Sequence, residues 1–232
     1  MFSDVVDLIF SGDRDLYAII QLSLAVSLSA TLLASIVALP FGAALALFQF
    51  PGRRILIVIT GAFMALPPVV VGLAVYLLLS RSGPLGELGL LFTPMAMVIA
   101  QSVLVFPIVA ALAYQACAPL VRDYDALFNV LDIPKGLRAR TVLWDGRFSL
   151  ITTVLAGFGR AIAEVGAVIV VGGNINGVTR VMTTTIALET SKGNLELALA
   201  LGIVLILIAV LVNALVSIFG TIGARHDKVR VA

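Results

Sequence analysis

FSLITTVLAGFGRAIAEVGAVIVV, running from Phe148 to Val171, carries two charges, Arg160 and Glu164, in an otherwise uncharged and mostly apolar stretch. An α-helix needs about 20 residues to cross the hydrocarbon core at 1.5 Å rise per residue. The stretch is long enough. Working outward, four more runs have the same character: Leu16–Phe48, Ile55–Leu79, Thr93–Cys117 and Leu195–Gly223. None alternates apolar and polar residues with period two, which argues against a membrane-spanning β-barrel.

Composition agrees. Hydrophobic residues make up 61% of the 232-residue chain and charged residues 12%, with a mean hydropathy of +1.14. Soluble domains carry about twice that share of charge. The expected fold class is an all-α membrane protein with about five transmembrane helices, forming a single domain over residues 1–232. The first run follows Asp4, Asp7, Asp13 and Asp15 without a basic leader and exceeds a signal-peptide core, so it is expected to be a retained span. Cys117 stands alone and His226 is the only histidine. One cysteine allows no internal disulfide, and the two together cannot build a zinc site, so no metal site is expected.

Lysine and arginine set the orientation. With the amino terminus outside, the inner segments hold Arg53, Arg54, Arg122, Lys135, Arg138, Arg140, Arg147, Arg225, Lys228 and Arg230. The outer ones hold Arg14, Arg81, Arg180 and Lys192. That bias predicts the amino terminus outside and the carboxyl terminus inside. The net charge of +2 then reports topology, not nucleic-acid binding. The first two runs join through the tight turn Gln49–Arg54. Pro40, Pro67, Pro68 and Pro107 lie inside runs and are expected to kink them. The outer loops, Ser80–Phe92 and Gly172–Asn194, are rich in glycine and hydroxyls, and Val181–Thr190 is expected to form a short helix.

The longest segment between runs, Ala118–Arg147, has a pattern of its own. Leu120, Tyr124, Leu127, Phe128 and Leu131 recur at helical spacing, while Arg122, Asp125, Asn129 and Asp132 occupy another face. An amphipathic helix of about three turns, closed by Pro134 and Gly136, is the expected result. It could lie in the headgroup layer or dock into a groove on a soluble partner, and periodicity does not choose.

The fourth run, read on from Ala156 through Arg160-Ala-Ile-Ala-Glu164-Val-Gly166 to Gly172-Gly-Asn174, resembles the permease subunits of bacterial ABC importers. The similarity is to the molybdate, sulfate and tungstate group, whose fourth helix carries a similar Arg-Ala-x-x-Glu-x-Gly pattern. Val170–Ile175 and Thr179–Gly193 look most like the tungstate permeases, and Phe50–Arg54 with Leu66–Pro68 also fit. The resemblance covers about Leu22 to Asn213. The inner loop departs from the usual pattern: Asp123–Ile133 stands where a Glu-Ala-Ala segment followed by glycine is usual, and Val142–Asp145 replaces a later Leu-Pro. The fine geometry of docking is what that departure touches.

The resemblance implies a type I ABC importer permease (MetI-like) fold, multi-pass in the bacterial cytoplasmic (inner) membrane. It implies a homodimer working with two ATP-binding cassette ATPase subunits and an extracytoplasmic substrate-binding protein, within membrane lipid and without nucleic acid. It also decides for docking: Tyr124, Asp125, Ala126, Leu127, Phe128, Leu131 and Asp132 are the expected ATPase-docking coupling helix. No Gly-x-x-x-x-Gly-Lys-Ser/Thr loop occurs in the chain. This chain is therefore expected to bind no cofactor and to have no catalytic residues, with ATP and Mg on the partner ATPase.

Arg160 and Glu164, one helical turn apart and near mid-bilayer, are costly there unless paired or watered. They fit either an internal ion pair or a pathway in which Arg160 donates to a tetrahedral oxyanion. Asn174, Thr183 and Thr184 stand where substrate would arrive, although caps and turns are the commoner use of such residues. The resemblance implies oxyanion import, tungstate first, with import of molybdate, sulfate or another small solute by the same fold, or an ATPase-independent channel, as alternatives. An intramembrane enzyme fits poorly: no histidine lies in a run and no Gly-x-Ser-x-Gly elbow occurs.

Overall fold

A computed structural model describes residues 13–231, with side chains to residue 223. Asp4, Asp7, Arg225, His226, Lys228 and Arg230, read above for topology or metal chemistry, lie outside what is described in side-chain detail. Among the described residues the regular structure is helical: α1 Arg14–Leu47, α2 Arg53–Phe63, α3 Pro68–Leu79, α4 Pro94–Val130, α5 Lys135–Asp145, α6 Arg147–Ile162, α7 Gly166–Gly172, α8 Met182–Lys192 and α9 Leu195–Val231. Three helices are long and apolar enough to cross a membrane, or up to 5 if each bent pair counts as one span.

The two bent pairs are where the runs differ from uninterrupted helices. The second run stops at Phe63 and restarts at Pro68. Pro67 and Pro68 both lack an N–H, and Pro67 is extended at ψ 123°, so the backbone cannot stay helical through them. The fourth run bends by 59° between α6 and α7, with no proline there to cause it. In contrast, Pro107 and Pro119 sit inside an unbroken α4.

The ends of α1 show how local chemistry sets boundaries. Asp13 Oδ1 accepts the backbone N–H groups of Asp15 at 2.8 Å and Leu16 at 3.1 Å, an N-terminal cap. At the other end Arg53 Nε donates to the Leu45 carbonyl at 2.5 Å, satisfying a terminal acceptor. The turn between α1 and α2 needs Gly52 at φ 86°, a left-handed conformation.

The chain forms two compact units. The first takes the described part of Met1–Thr31 with Leu66–Leu104 and Phe158–Leu211; the second takes Leu32–Ala65, Val105–Gly157 and the described part of Val212–Ala232. The core of the first is built from Val26, Ala30, Val71, Val75, Met97, Ala100, Val168 and Val171. There α3 packs on α7 so closely that a Cβ at Gly72 would lie 2.7 Å from Ala167 Cα. Small residues let helices meet this way without a hydrophobic drive between them. The second unit closes around Ala43, Ala46, Ala113, Cys117, Phe128, Val142 and Leu150.

Candidate functional site at a broken helix

Breaking a helix in an apolar setting frees backbone groups that must find partners. At the α6–α7 break several of these groups have one. Glu164 N–H and the side-chain amide of Gln101 both donate to the Ala161 carbonyl, at 3.1 and 3.0 Å. Thr183 Oγ1 donates to the Glu164 carbonyl at 2.8 Å. Glu164 Oε1 accepts the Ala167 N–H at 3.1 Å, capping α7. Its other oxygen, Oε2, takes a hydrogen bond from Arg160 at 2.6 Å. The Glu164 side chain is 3% exposed and that of Arg160 37%.

This pair is therefore asymmetric. The carboxylate is sealed and doubly bonded. The guanidinium, which carries five donors, uses one on Glu164 and has no other partner among the described residues. A charge this open does not face hydrocarbon without heavy cost. The arrangement can hold a cation in place and present its remaining donors to an anion or to water.

Of the five residues expected along the pathway, Arg160, Glu164 and Thr183 come together, with the Thr183 hydroxyl committed to backbone. Asn174 and Thr184 pair with each other: Thr184 Oγ1 donates to Asn174 Oδ1 at 2.9 Å and also accepts the Val181 N–H at 3.3 Å. The expected short helix is present as α8. Its last turn is tied by Glu189, whose carboxylate accepts from Lys192 at 2.9 Å and Asn194 at 3.0 Å. Those bonds, Lys192 first, hold the Glu189 carboxyl below its ordinary value, with the Arg180 charge contributing. Ser23, not singled out from the sequence, receives the Met182 N–H at 2.8 Å and fixes the start of α8. Its signal was available: Ser23, Ser27, Thr31 and Ser35 recur every fourth residue on α1, and all are buried.

The expected coupling helix is the end of α4, which runs on to Val130 without a stop at Cys117. Arg138 clamps that end. It donates to the carbonyls of Ile133 at 2.7 Å and Phe128 at 3.0 Å and to Asn129 Oδ1 at 3.2 Å, and its guanidinium lies 5.4 Å from the Phe128 ring centroid. Phe128 is buried, and Tyr124 is half-buried with its hydroxyl donating to Asp145 at 2.9 Å. Asp125, Ala126, Leu127, Leu131 and Asp132 are exposed. Val130, at 83%, and Trp144, at 68%, join them as exposed apolar residues that the spacing had not marked.

No family model matches the chain. Curated relatives do. The tungstate uptake system permease protein of Peptoclostridium acidaminophilum is 40% identical over 215 residues, 93% of this chain and 94% of that protein. A probable anion ABC transporter permease of Haloferax volcanii is 40% identical over 206 residues, 86% and 88% of the two chains. The chain belongs to the ABC transporter permease family. The tungstate uptake permease of Campylobacter jejuni is 37% identical over 212 residues, 91% of this permease. A sulfate transport permease of Synechocystis stands further off at 28% over 229 residues.

Proposed function

We propose that this permease subunit carries tungstate inward, as a homodimer that takes the ion from an extracytoplasmic binding protein and is driven by two ATPase subunits. The observation that carries the oxyanion step is Arg160, a mid-run guanidinium with donors to spare beside a sealed carboxylate. In a twofold assembly, the commonest closed symmetry, two such guanidiniums would face one aqueous path. Glu164 fixes each one and keeps its grip on a divalent oxyanion loose enough for release. Hydrolysis belongs to the partner, where ATP and Mg would sit; this chain contributes no phosphate loop.

On this reading residues of helix α4 serve both docking and the break. Its far end presents Asp125, Leu127, Val130 and Leu131 to the ATPase, while Gln101 on the same helix grips the Ala161 carbonyl at the break. The break is where the fourth run can yield. Names of relatives favour tungstate; molybdate or sulfate is the second reading, supported by the more distant sulfate relative.

The test is reconstitution of the permease with ATPase and binding protein in proteoliposomes. ATP-dependent tungstate uptake is expected, exceeding that of sulfate. Uptake at the same rate without the ATPase would overturn the proposal in favour of a channel.

A further inference from the structure

We propose a second oxyanion site, at the amino-terminal end of α1, in which Arg180 is the cationic donor and Asp15 limits affinity. It rests on the proposed reading only in taking this end as the outer one and the ligand as a tetrahedral oxyanion. A cavity of about 150 Å³ is lined there by Asp15, Ile19 and Leu22 of α1 and by Asn176, Val178 and Arg180 of the α7–α8 connection. That volume suits a small ion better than an organic substrate, whose pockets run from about 300 Å³ upward.

The connection is firmly held. Thr179 Oγ1 donates to the Gly172 carbonyl at 2.5 Å and accepts the Ile175 N–H at 3.0 Å, while the Arg180 N–H itself donates to the Ile175 carbonyl at 3.1 Å. The backbone that carries Arg180 is thereby fixed. Its side chain has no hydrogen-bond or ion-pair partner among the described residues, and its Nε is buried without one. Glu189 feels the Arg180 charge, yet its carboxylate already accepts from Lys192 and Asn194. Asp15 shares the cavity without pairing with the guanidinium.

An arginine keeps its charge at any physiological pH, and its planar fork matches the acceptor oxygens of an oxyanion. The terminal guanidinium nitrogens are the groups left to meet one, and the Asn176 amide is a second donor at the same wall. Asp15 opposes the ion by like charge. The site therefore holds an anion briefly, as a station ahead of Arg160 should.

Opposite signs make the test. Calorimetric titration of sodium tungstate into the purified complex with its ATPase subunits, in phosphatidylcholine nanodiscs, reads the site directly. Arg180→Gln is expected to weaken binding at least tenfold, roughly the value of a charge-assisted contact. Arg180→Lys should recover part of that loss, which separates lost chemistry from lost folding. Asp15→Asn is expected to tighten binding several-fold. Equal weakening by Asp15→Asn and Arg180→Gln would instead mean that the two residues support each other structurally, and the proposal would fall. It would also fall if the wild-type complex gave no saturable heat, or if adding phosphatidylglycerol abolished tungstate binding, since a lipid headgroup would then be the ligand. Should the variants behave as expected while ATP-dependent uptake is absent, the site stands and the transport reading fails.

Discussion

Two arginines in this permease do opposite jobs with the same side chain. Arg138 directs three donors at the end of α4, closing the carbonyls of Phe128 and Ile133 and the side chain of Asn129. Arg160 directs one at Glu164, and that partner is sealed while Arg160 is not. A guanidinium that directs three donors at its own fold is a clasp. One held at a single point, with its other donors unclaimed by the described residues, is on the proposed reading a hand. Burial and hydrogen-bond accounting separate the two where residue type alone cannot.

The largest expected effect lies at the hand. Arg160→Gln should lower ATP-dependent tungstate uptake by about 10- to 100-fold, the range for losing a charge-assisted hydrogen bond at about 1.5–3 kcal/mol. Thermal stability should fall less than for a fully buried pair, because Glu164 retains its bond from Ala167 and because Arg160 is more than a third exposed. Next comes the clasp. Arg138→Met removes three hydrogen bonds and should destabilise the permease by roughly 2–4 kcal/mol at about 1 kcal/mol or more each, read as a lower unfolding midpoint. ATPase capture should drop with it, as the exposed Leu127–Leu131 face loses its support. If the two variants shifted stability and uptake in the same ratio, the contrast between the arginines would be empty.

Gln101→Leu sharpens the comparison from the side of the break. It leaves the Ala161 carbonyl with one donor fewer, a cost of roughly 1–2 kcal/mol. Uptake per ATP hydrolysed should decline while ATPase capture is unchanged. Joint truncation, Leu127→Ala with Leu131→Ala, should do the reverse, reducing capture in a pull-down while leaving the unfolding free energy within about 0.5 kcal/mol of wild type, as surface changes do.

The smallest effect is a matter of pH. Glu189 titrates below the ordinary carboxylate value of 4.5 in the folded chain. Its contribution is thus complete above that value and is lost as pH falls through the lower, folded one. Protection of the Gly193 and Asn194 amides, measured against their intrinsic exchange rates, should fall in acid, and Glu189→Gln should remove that pH dependence.

How much of this was legible in the sequence depends on the length scale of the signal. The five apolar runs follow from hydropathy because spanning a bilayer takes about 20 apolar residues. The break after Phe63 was half visible, since Pro67 and Pro68 announced a disturbance but not its size. The break at Glu164 was hidden, because hydropathy is blind to a backbone whose freed groups are taken up by Gln101 and Thr183, both distant in sequence. At the end of α4 a helix is expected and present, but as the continuation of the third run and not as a separate piece, and its apolar residues do not share one face. Apolar residues surround it, with Tyr124 and Phe128 turned inward and Leu127, Val130 and Leu131 outward, so spacing could not say which side meets a partner. Arg180 had no pattern to mark it at all; only its lack of a partner in three dimensions does.

The most direct measurement compares initial rates of tungstate uptake for wild type, Arg160→Lys and Arg160→Gln in proteoliposomes holding the assembled importer, with ATP hydrolysis measured in parallel. Uptake is expected to fall in that order while the assembly and its unfolding midpoint stay close to wild type. Undiminished uptake by assembled Arg160→Gln would contradict a role for the open guanidinium in carrying the ion.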